Sequence, residues 1–245
     1  MKLPVIFAVN GADAIPEDLF RRFMNVVSAE RRSKTEKFYR REDACRSLLA
    51  ESLIRYIFFN AGLQDYGEIR LTRNEFGKPE SILDGFHFNV SHSGSWVVCA
   101  ADIEEIGIDV ERIHKVDRGI SRRFFSSVEN KLLSDLESLV QWQDCFFKIW
   151  VLKESYIKAI GKGLNCPLNS FAVLPQNENT ACLIRYEEAL PQKYFKIYHI
   201  DPAYKCALCC SHQNFPKKVH IVSAQEIIVK LEGASTKGTG SPEYY

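Results

Sequence analysis

The sequence predicts an α+β fold. Two stretches with helical spacing of apolar residues, 28–62 and 146–160, alternate with two segments that read as antiparallel hairpins, 86–102 and 194–211. The return strands of those hairpins, Trp96-Val-Val-Cys-Ala-Ala101 and Lys205-Cys-Ala-Leu-Cys-Cys210, share a character and lie about 110 positions apart, a hint of two related halves. A chain of 245 residues with 46% apolar and 26% charged residues can bury a large core, and that balance excludes a disordered or fibrous chain.

The opening segment, Met1 to Val9, is too short for a signal peptide and reads as a first strand. In the 28–62 helix Ser28 is the N-cap, without a capping box because Arg31 stands three positions on. Phe38, Leu48, Leu49, Leu53, Ile54, Ile57 and Phe58 recur at near-helical intervals, and Gly62 is a stop. The 86–102 hairpin runs from Phe86 to Val90, turns through Ser91-His92-Ser93-Gly94-Ser95 and returns from Trp96. Residues 105–111 form a further short strand. The second helix, Phe146 to Ile160, closes on Gly161-Lys162-Gly163 and Pro167. The second hairpin turns at Asp201-Pro202. From Gly233 the chain turns to Gly, Ser, Thr and Pro, so 233–245 reads as a mobile tail. The expected divisions are an N-terminal half, 1–104, a C-terminal half, 105–232, and that tail.

Lys and Arg number 32 against 31 Asp and Glu, so a protein that coats nucleic acid is disfavoured. No apolar run reaches the ~18 residues that suggest a membrane span. The eight cysteines lie mostly in apolar stretches; with no secretion signal, a reduced cytoplasmic compartment is expected. Cys206-x-x-Cys209-Cys210-x-His212 lacks the second ligand pair that a structural zinc site needs.

Several clusters can carry chemistry. In the 105–111 strand, Asp109 and Glu111 share one face with Cα atoms about 6.5–7 Å apart, while Ile106, Ile108 and Val110 face the core. Gly107 leaves room on the carboxylate face. Two carboxylates beside a gap suit a hard divalent cation shared with a phosphate; the plainer alternative is a solvent-facing strand edge. In the second helix Trp150, Glu154 and Lys158 line up. Glu154 either completes a metal site with Asp109 and Glu111 or forms an ordinary surface pair with Lys158, worth only ~0.3–0.5 kcal/mol. The 91–94 turn offers hydroxyls, an imidazole and backbone N–H groups to an anion. Residues 31–46 carry seven Lys/Arg against three acids, either a solvated helix face or a phosphate site.

Taken in order, Phe88-Asn-Val-Ser-His-Ser-Gly94, Ile106-Gly-Ile-Asp-Val-Glu111, Phe124-Phe-Ser-x-x-Glu129 and Trp150-x-x-Lys-Glu-Ser-x-x-Lys158-x-x-Gly-Lys-Gly163 resemble the 4′-phosphopantetheinyl transferases of the surfactin-synthetase-activating type. The resemblance extends to Phe38-Tyr-Arg-Arg-Glu-Asp-Ala-Cys-Arg-Ser-Leu-Leu49 and Phe76-Gly-Lys-Pro79, and covers the chain to about residue 231. It implies two similar α+β halves related by a pseudo-twofold, with coenzyme A between them. It implies transfer of the phosphopantetheine arm of coenzyme A to a serine of an apo carrier protein, peptidyl or acyl, leaving adenosine 3′,5′-bisphosphate.

The same resemblance assigns roles. Asp109, Glu111 and Glu154 match Mg²⁺ ligands, with Mn²⁺ able to substitute. Lys158 matches a lysine beside the pyrophosphate leaving group, and Glu129 an acid that is a base or a partner of metal-bound water. Lys153, Ser91 and His92 match coenzyme A phosphate contacts. Arg31, Lys34, Arg46, Ser47 and Lys78 match positions holding the nucleotide end and its 3′-phosphate; Arg31 replaces the lysine expected there. A monomer suffices, because both halves lie in one chain. The carrier is expected near residues 113–128, where Ile120, Phe124 and Phe125 stand among Lys115, Arg118, Arg122 and Arg123 as anchors or as core. Rival readings are a non-catalytic coenzyme A or carrier binder and a Mg²⁺-dependent pyrophosphate hydrolase. The resemblance calls for neither a membrane nor nucleic acid as a partner.

Overall fold

The computed structural model describes residues 3–62, 71–186 and 190–235. Strand β1 (Val5–Val9) is followed by helices α1 (Glu17–Val26), α2 (Ala29–Thr35) and α3 (Arg41–Asn60). A small hairpin, β2 (Leu71–Arg73) and β3 (Pro79–Ser81), precedes β4 (His87–Ser93), β5 (Trp96–Asp102) and β6 (Ile106–Arg112). Helices α4 (Gly119–Phe124), α5 (Ser127–Ser134) and α6 (Leu139–Ala159) come next, then β7 (Phe171–Pro175), β8 (Thr180–Arg185), β9 (Tyr194–Tyr198) and β10 (Tyr204–Cys210). The chain ends in β11 (His220–Ile221) and α7 (Ala224–Ser235).

The expected α+β architecture is present as four layers. One sheet has the order β11-β1-β5-β4 and the other β6-β10-β9-β8-β7. The period of two along each strand divides its side chains between two cores. Val5, Phe7, Val9, Val97, Cys99 and Ala101 pack under α1, α3 and α7, while Ile6, Ala8, Trp96, Val98 and Ala100 point the other way. There they meet Ile106, Ile108 and Val110 of β6 and Cys206, Leu208 and Cys210 of β10 in a core between the sheets. Ala207 and Cys209 face α6 on the outer side. Strands covered on both faces must be apolar throughout, which is why β1, β5 and β10 read as continuous apolar runs. The alternation also puts Cys206 and Cys209 on opposite faces of β10, and burial pushes both thiols up, so the motif is packing and not a metal knuckle.

Several boundaries differ from expectation. The 28–62 helix is two helices with a break at 36–40. Ser28 is the expected cap, accepting from Arg31 N at 3.1 Å, but the buried Glu51 of α3 accepts from Ser28 N, Ser28 Oγ and Arg31 Nε, folding α2 back against α3. The hairpin turn is only Gly94-Ser95, so Ser91, His92 and Ser93 are strand residues. Helix α6 begins at Leu139, seven residues early, because Trp142, Phe146 and Trp150 stack one turn apart at 5.2 and 5.8 Å. Residues 233–235 belong to α7, and the rest of the expected tail, 236–245, lies outside the described residues. Finally, the end of the expected C-terminal half returns to the first: β11 pairs parallel with β1, and Ile227, Ile228 and Leu231 enter its core.

Candidate active site

Strands β4 and β6 are edges of their sheets, and they lie side by side without main-chain pairing. Side chains bridge them. Asn89 Oδ1 accepts from Ile108 N at 2.9 Å, Ser91 Oγ from Val110 N at 3.4 Å and Ser93 Oγ from Arg112 N at 3.1 Å. Each rung spans 19 residues, so the two strands advance in step. A strand edge inside a protein carries N–H groups that must be satisfied, and every second residue of β4 supplies an acceptor.

On β6, Gly107, Asp109 and Glu111 share the face toward α6, as the alternation requires. Gly107 does not leave a gap for a ligand. A Cβ there would collide with the backbone of Ser155 and Ala159, so this glycine lets α6 lie directly on the strand. Asp109, 2% exposed, receives Ser91 Oγ at 2.7 Å and Lys158 Nζ at 2.6 Å, both on Oδ1. Its Oδ2 is buried and has no partner among the described residues. Glu111 receives Ser93 Oγ at 2.7 Å. Glu154 stands one turn before Lys158 on α6. Burial first, then the negative charge of Asp109, pushes its carboxyl up to about 7, with Lys158 acting against them. Burial and then Asp109 also raise Glu111. Three carboxylates thus share one ammonium in a partly dry site, which leaves two negative charges uncompensated when all ionise. Among the described residues no three His, Cys, Asp or Glu side chains close on one point, and Lys158 takes the inner place beside Asp109.

Basic side chains border this acidic centre. Loss of hydration, then the charges of Lys158 and Arg46, hold the His92 imidazole below its ordinary value. Arg46 reaches Gly94 O at 3.0 Å and Asp43 at 2.5 Å. One residue along α3, the buried Ser47 accepts from Arg31 at 2.8 Å. Arg31, Lys34, Arg55 and Arg73 then line a cavity of about 570 Å³ with Glu30 and Glu51, whose apolar wall includes Ile54, Leu71, Pro79, Ile82 and Val90.

This constellation has relatives. Residues 105–209 match the 4′-phosphopantetheinyl transferase superfamily, and residues 15–104 match the 4′-phosphopantetheinyl transferase, N-terminal family. The chain is 40% identical over 210 residues, 84% of its length and 92% of the relative's, to 4′-phosphopantetheinyl transferase Sfp of Bacillus subtilis (strain 168). It is 37% identical to a second 4′-phosphopantetheinyl transferase of Bacillus subtilis, covering 93% of this chain and 100% of that one. It is 36% identical to 4′-phosphopantetheinyl transferase gsp of Aneurinibacillus migulanus, over 80% and 83% of the two chains. The chain belongs to the 4′-phosphopantetheinyl transferases. Its activity is the family's, transfer of the 4′-phosphopantetheine arm of coenzyme A to carrier proteins.

Within this transferase the expected residues separate into groups. Asp109, Glu111, Glu154, Lys158, His92 and Arg46 come together; Arg31 and Lys34 line the cavity, with the buried Ser47 bonded to Arg31 behind them. Glu129 and Lys153 join neither. Both are fully buried and pair with each other at 2.7 and 2.8 Å on the far side of α6. Glu129 also closes a capping box with Ser126 and accepts from Val173 N, while Lys153 donates to Phe171 O. Neither has surface to offer a ligand from solvent; their role is to fix α5 and β7 against α6. Ser91 is buried as well. Its hydroxyl gives its one proton to Asp109 and accepts from Val110 N and Lys158, so it has nothing left for a coenzyme A phosphate. Lys78 is withdrawn too. Burial lowers its ammonium, which donates to the carbonyls of Ile106 and Ala159 in a separate hollow of about 180 Å³. Glu51, the carboxylate that holds both Arg31 and Arg55, belongs to no motif, and an acid inside an apolar helix is its only signal in the sequence.

Proposed function

We propose that this chain performs its transfer through a divalent cation, Mg²⁺ with Mn²⁺ as a substitute, held by Asp109, Glu111 and Glu154, on coenzyme A seated between the two halves. The observation that carries this reading is the crowding of three carboxylates, Asp109, Glu111 and Glu154, around the one ammonium of Lys158, together with the buried Oδ2 of Asp109, which has no partner among the described residues. Hard oxygen donors with unsatisfied charge are the chemistry a divalent ion shares with phosphates. When bound, that ion would draw negative charge from the pyrophosphate.

The chain's own groups then have distinct tasks. Arg31 and Lys34 hold the nucleotide end and its 3′-phosphate, with Glu51 and Ser47 fixing the Arg31 fork. Arg46 and His92 border the phosphates. Lys158 is partly exposed and moves from Asp109 to the departing adenosine 3′,5′-bisphosphate. The hydroxyl of the carrier serine attacks the phosphorus that bears the pantetheine arm, the bond to the bridging oxygen breaks, and the serine proton leaves to a base.

The carrier is proposed to approach over residues 113–128. There Ile120 and Val116 line an apolar slot of about 170 Å³ that opens beside Glu111, floored by Phe146, Phe147 and Trp150. Phe125 is removed from that surface: it is 3% exposed and stacks on Phe146 at 5.1 Å. Every residue assigned a task here comes from one chain, which supports a monomer. No helix among the described residues is long and apolar enough to cross a membrane. A coenzyme A substrate supports work in the cytoplasm.

Incubation with coenzyme A, Mg²⁺ and an apo carrier tests the reading. The carrier should gain the mass of one phosphopantetheine arm, and chelation should stop the gain. Consumption of coenzyme A without a modified carrier would make the protein a hydrolase, and undiminished transfer under chelator would refute the metal.

A further inference from the structure

The three rungs across the β4–β6 seam differ chemically in a way that follows the residue beneath each. Asn89 faces Ile108 N, and the residue before Ile108 is Gly107, with no side chain to hold. An acceptor alone suffices there. Ser91 faces Val110 N after Asp109, and Ser93 faces Arg112 N after Glu111. At those two places the rung must accept from an amide and also donate to a carboxylate, and a hydroxyl does both with one atom. Ser91 Oγ and Ser93 Oγ each donate to their carboxylate at 2.7 Å.

We propose that Ser93 is a positioning residue for the transfer: it fixes Glu111 in the orientation that receives the divalent cation, and the β4–β6 register sets that orientation from the other half of the molecule. The inference rests on the metal reading above. Glu111 lies near the end of β6 and is only half-buried, so its side chain has rotamers to lose. Ser93 is itself anchored by Arg112 N at 3.1 Å, just before the Gly94 turn. It therefore holds one oxygen, Oε2, and leaves Oε1 for a ligand. Lys158 does the holding for Asp109 along with Ser91, but the hydroxyl of Ser93 is the one hydrogen-bond donor to Glu111 found among the described residues.

The test uses the full chain and Mn²⁺ alone, titrated by electron paramagnetic resonance, with thermal melting alongside. Ser93→Ala should weaken Mn²⁺ by about 10–100-fold, the usual loss when a group orienting a metal ligand is removed. Ser93→Thr should restore most of the affinity, and Ser93→Cys, a poor donor of similar size, should fall between. In transfer assays the Mg²⁺ concentration for half-maximal rate should rise while KM for coenzyme A stays. Asn89→Ala, a rung without a carboxylate, should lower Tm and leave Mn²⁺ affinity unchanged. If Ser93→Ala or Ser93→Cys binds Mn²⁺ like the parent while Asp109→Ala does not, the role of Ser93 is refuted and the metal site stands. If Asn89→Ala weakens Mn²⁺ as much as Ser93→Ala, the seam acts through stability alone and the proposal falls. If Asp109→Ala also binds like the parent, the metal reading fails and takes this one with it.

Discussion

Lys158 Nζ lies 2.6 Å from Asp109 Oδ1, so an ammonium stands beside the carboxylate best placed to hold a divalent cation. The lysine is partly exposed while the aspartate is buried, so the lysine is the member that can leave. Asp109→Ala should therefore remove the proposed inner ligand without collapsing the fold. We expect transfer to fall by about 10²–10³-fold or more, as when a preorganised charge-stabilising group is lost. Coenzyme A binding through Arg31 and Lys34 should persist. Calorimetry with coenzyme A beside the transfer assay checks both, and a near-parental rate would place the metal elsewhere.

Glu154 supplies a pH signature. Its carboxyl is raised from 4.5 to about 7, so the folded chain favours the protonated form. Stability from this group is full below the unfolded value and is lost as pH rises through about 7. Glu154→Gln removes that titration. Without metal, at about pH 8, the variant should melt above the parent, whereas near pH 4 the two should coincide. Mg²⁺ should reverse the order at the higher pH, because the ion needs the ionised carboxylate. Melting curves across pH with chelator and with Mg²⁺ read this directly, and identical curves for both proteins would return Glu154 to a surface pair.

The buried Lys153–Glu129 pair should matter for folding and not for chemistry. Lys153→Met leaves the Glu129 carboxyl without its buried partner in the core, a change that typically costs about 3–5 kcal/mol. At a temperature where the variant remains folded, kcat per folded molecule should stay near the parent's. A selective loss of kcat with unchanged Tm would restore Glu129 and Lys153 to the reaction.

Arg31 and Lys34 should read the 3′-phosphate. Replacing either with Ala removes a charge-assisted contact worth about 1.5–3 kcal/mol for coenzyme A, and should cost 3′-dephospho-coenzyme A much less. Glu51→Gln should mimic part of the Arg31 loss, since Glu51 holds the Arg31 fork at 3.1 Å. Equal losses for both ligands would assign these cations to the rest of the nucleotide.

Phe125→Ala should cost about 3–5 kcal/mol of stability, as for a large aromatic taken from a packed core, with the carrier KM unchanged. Ile120→Ala, at the rim of the slot beside Glu111, should raise the carrier KM with little effect on Tm. The reverse pattern would put Phe125 back on the docking surface.

Much of this architecture was legible in the sequence. The apolar runs of β1, β5 and β10 announce strands covered on both faces, and the alternation in 106–111 separates core from carboxylates. Positions 150, 154 and 158 share a helix face by spacing alone. Lys153, one residue from Glu154, points about 100° away around the helix, and local sequence says nothing of what it meets there. Ser126-x-x-Glu129 is a readable capping box, and that local role competes with a catalytic one. The break between α2 and α3 depends on Glu51 reaching back 23 residues to Ser28, a long-range bond that periodicity does not register. Ser93 lay inside a cluster of turn-forming residues, and only the register of two strands reveals that it faces Glu111.

The return of β11 and α7 to the first sheet bears on how the chain is made. Until residues 220–231 leave the ribosome, β1 has one open edge and the helices above it lack Val222, Ile227, Ile228 and Leu231. The portion synthesised first therefore waits for the portion synthesised last. Its exposed edge is a temporary invitation to aggregation. The finished protein is fastened by its own C-terminal strap, so a cut in the exposed link at Ile103 should leave two fragments that stay together.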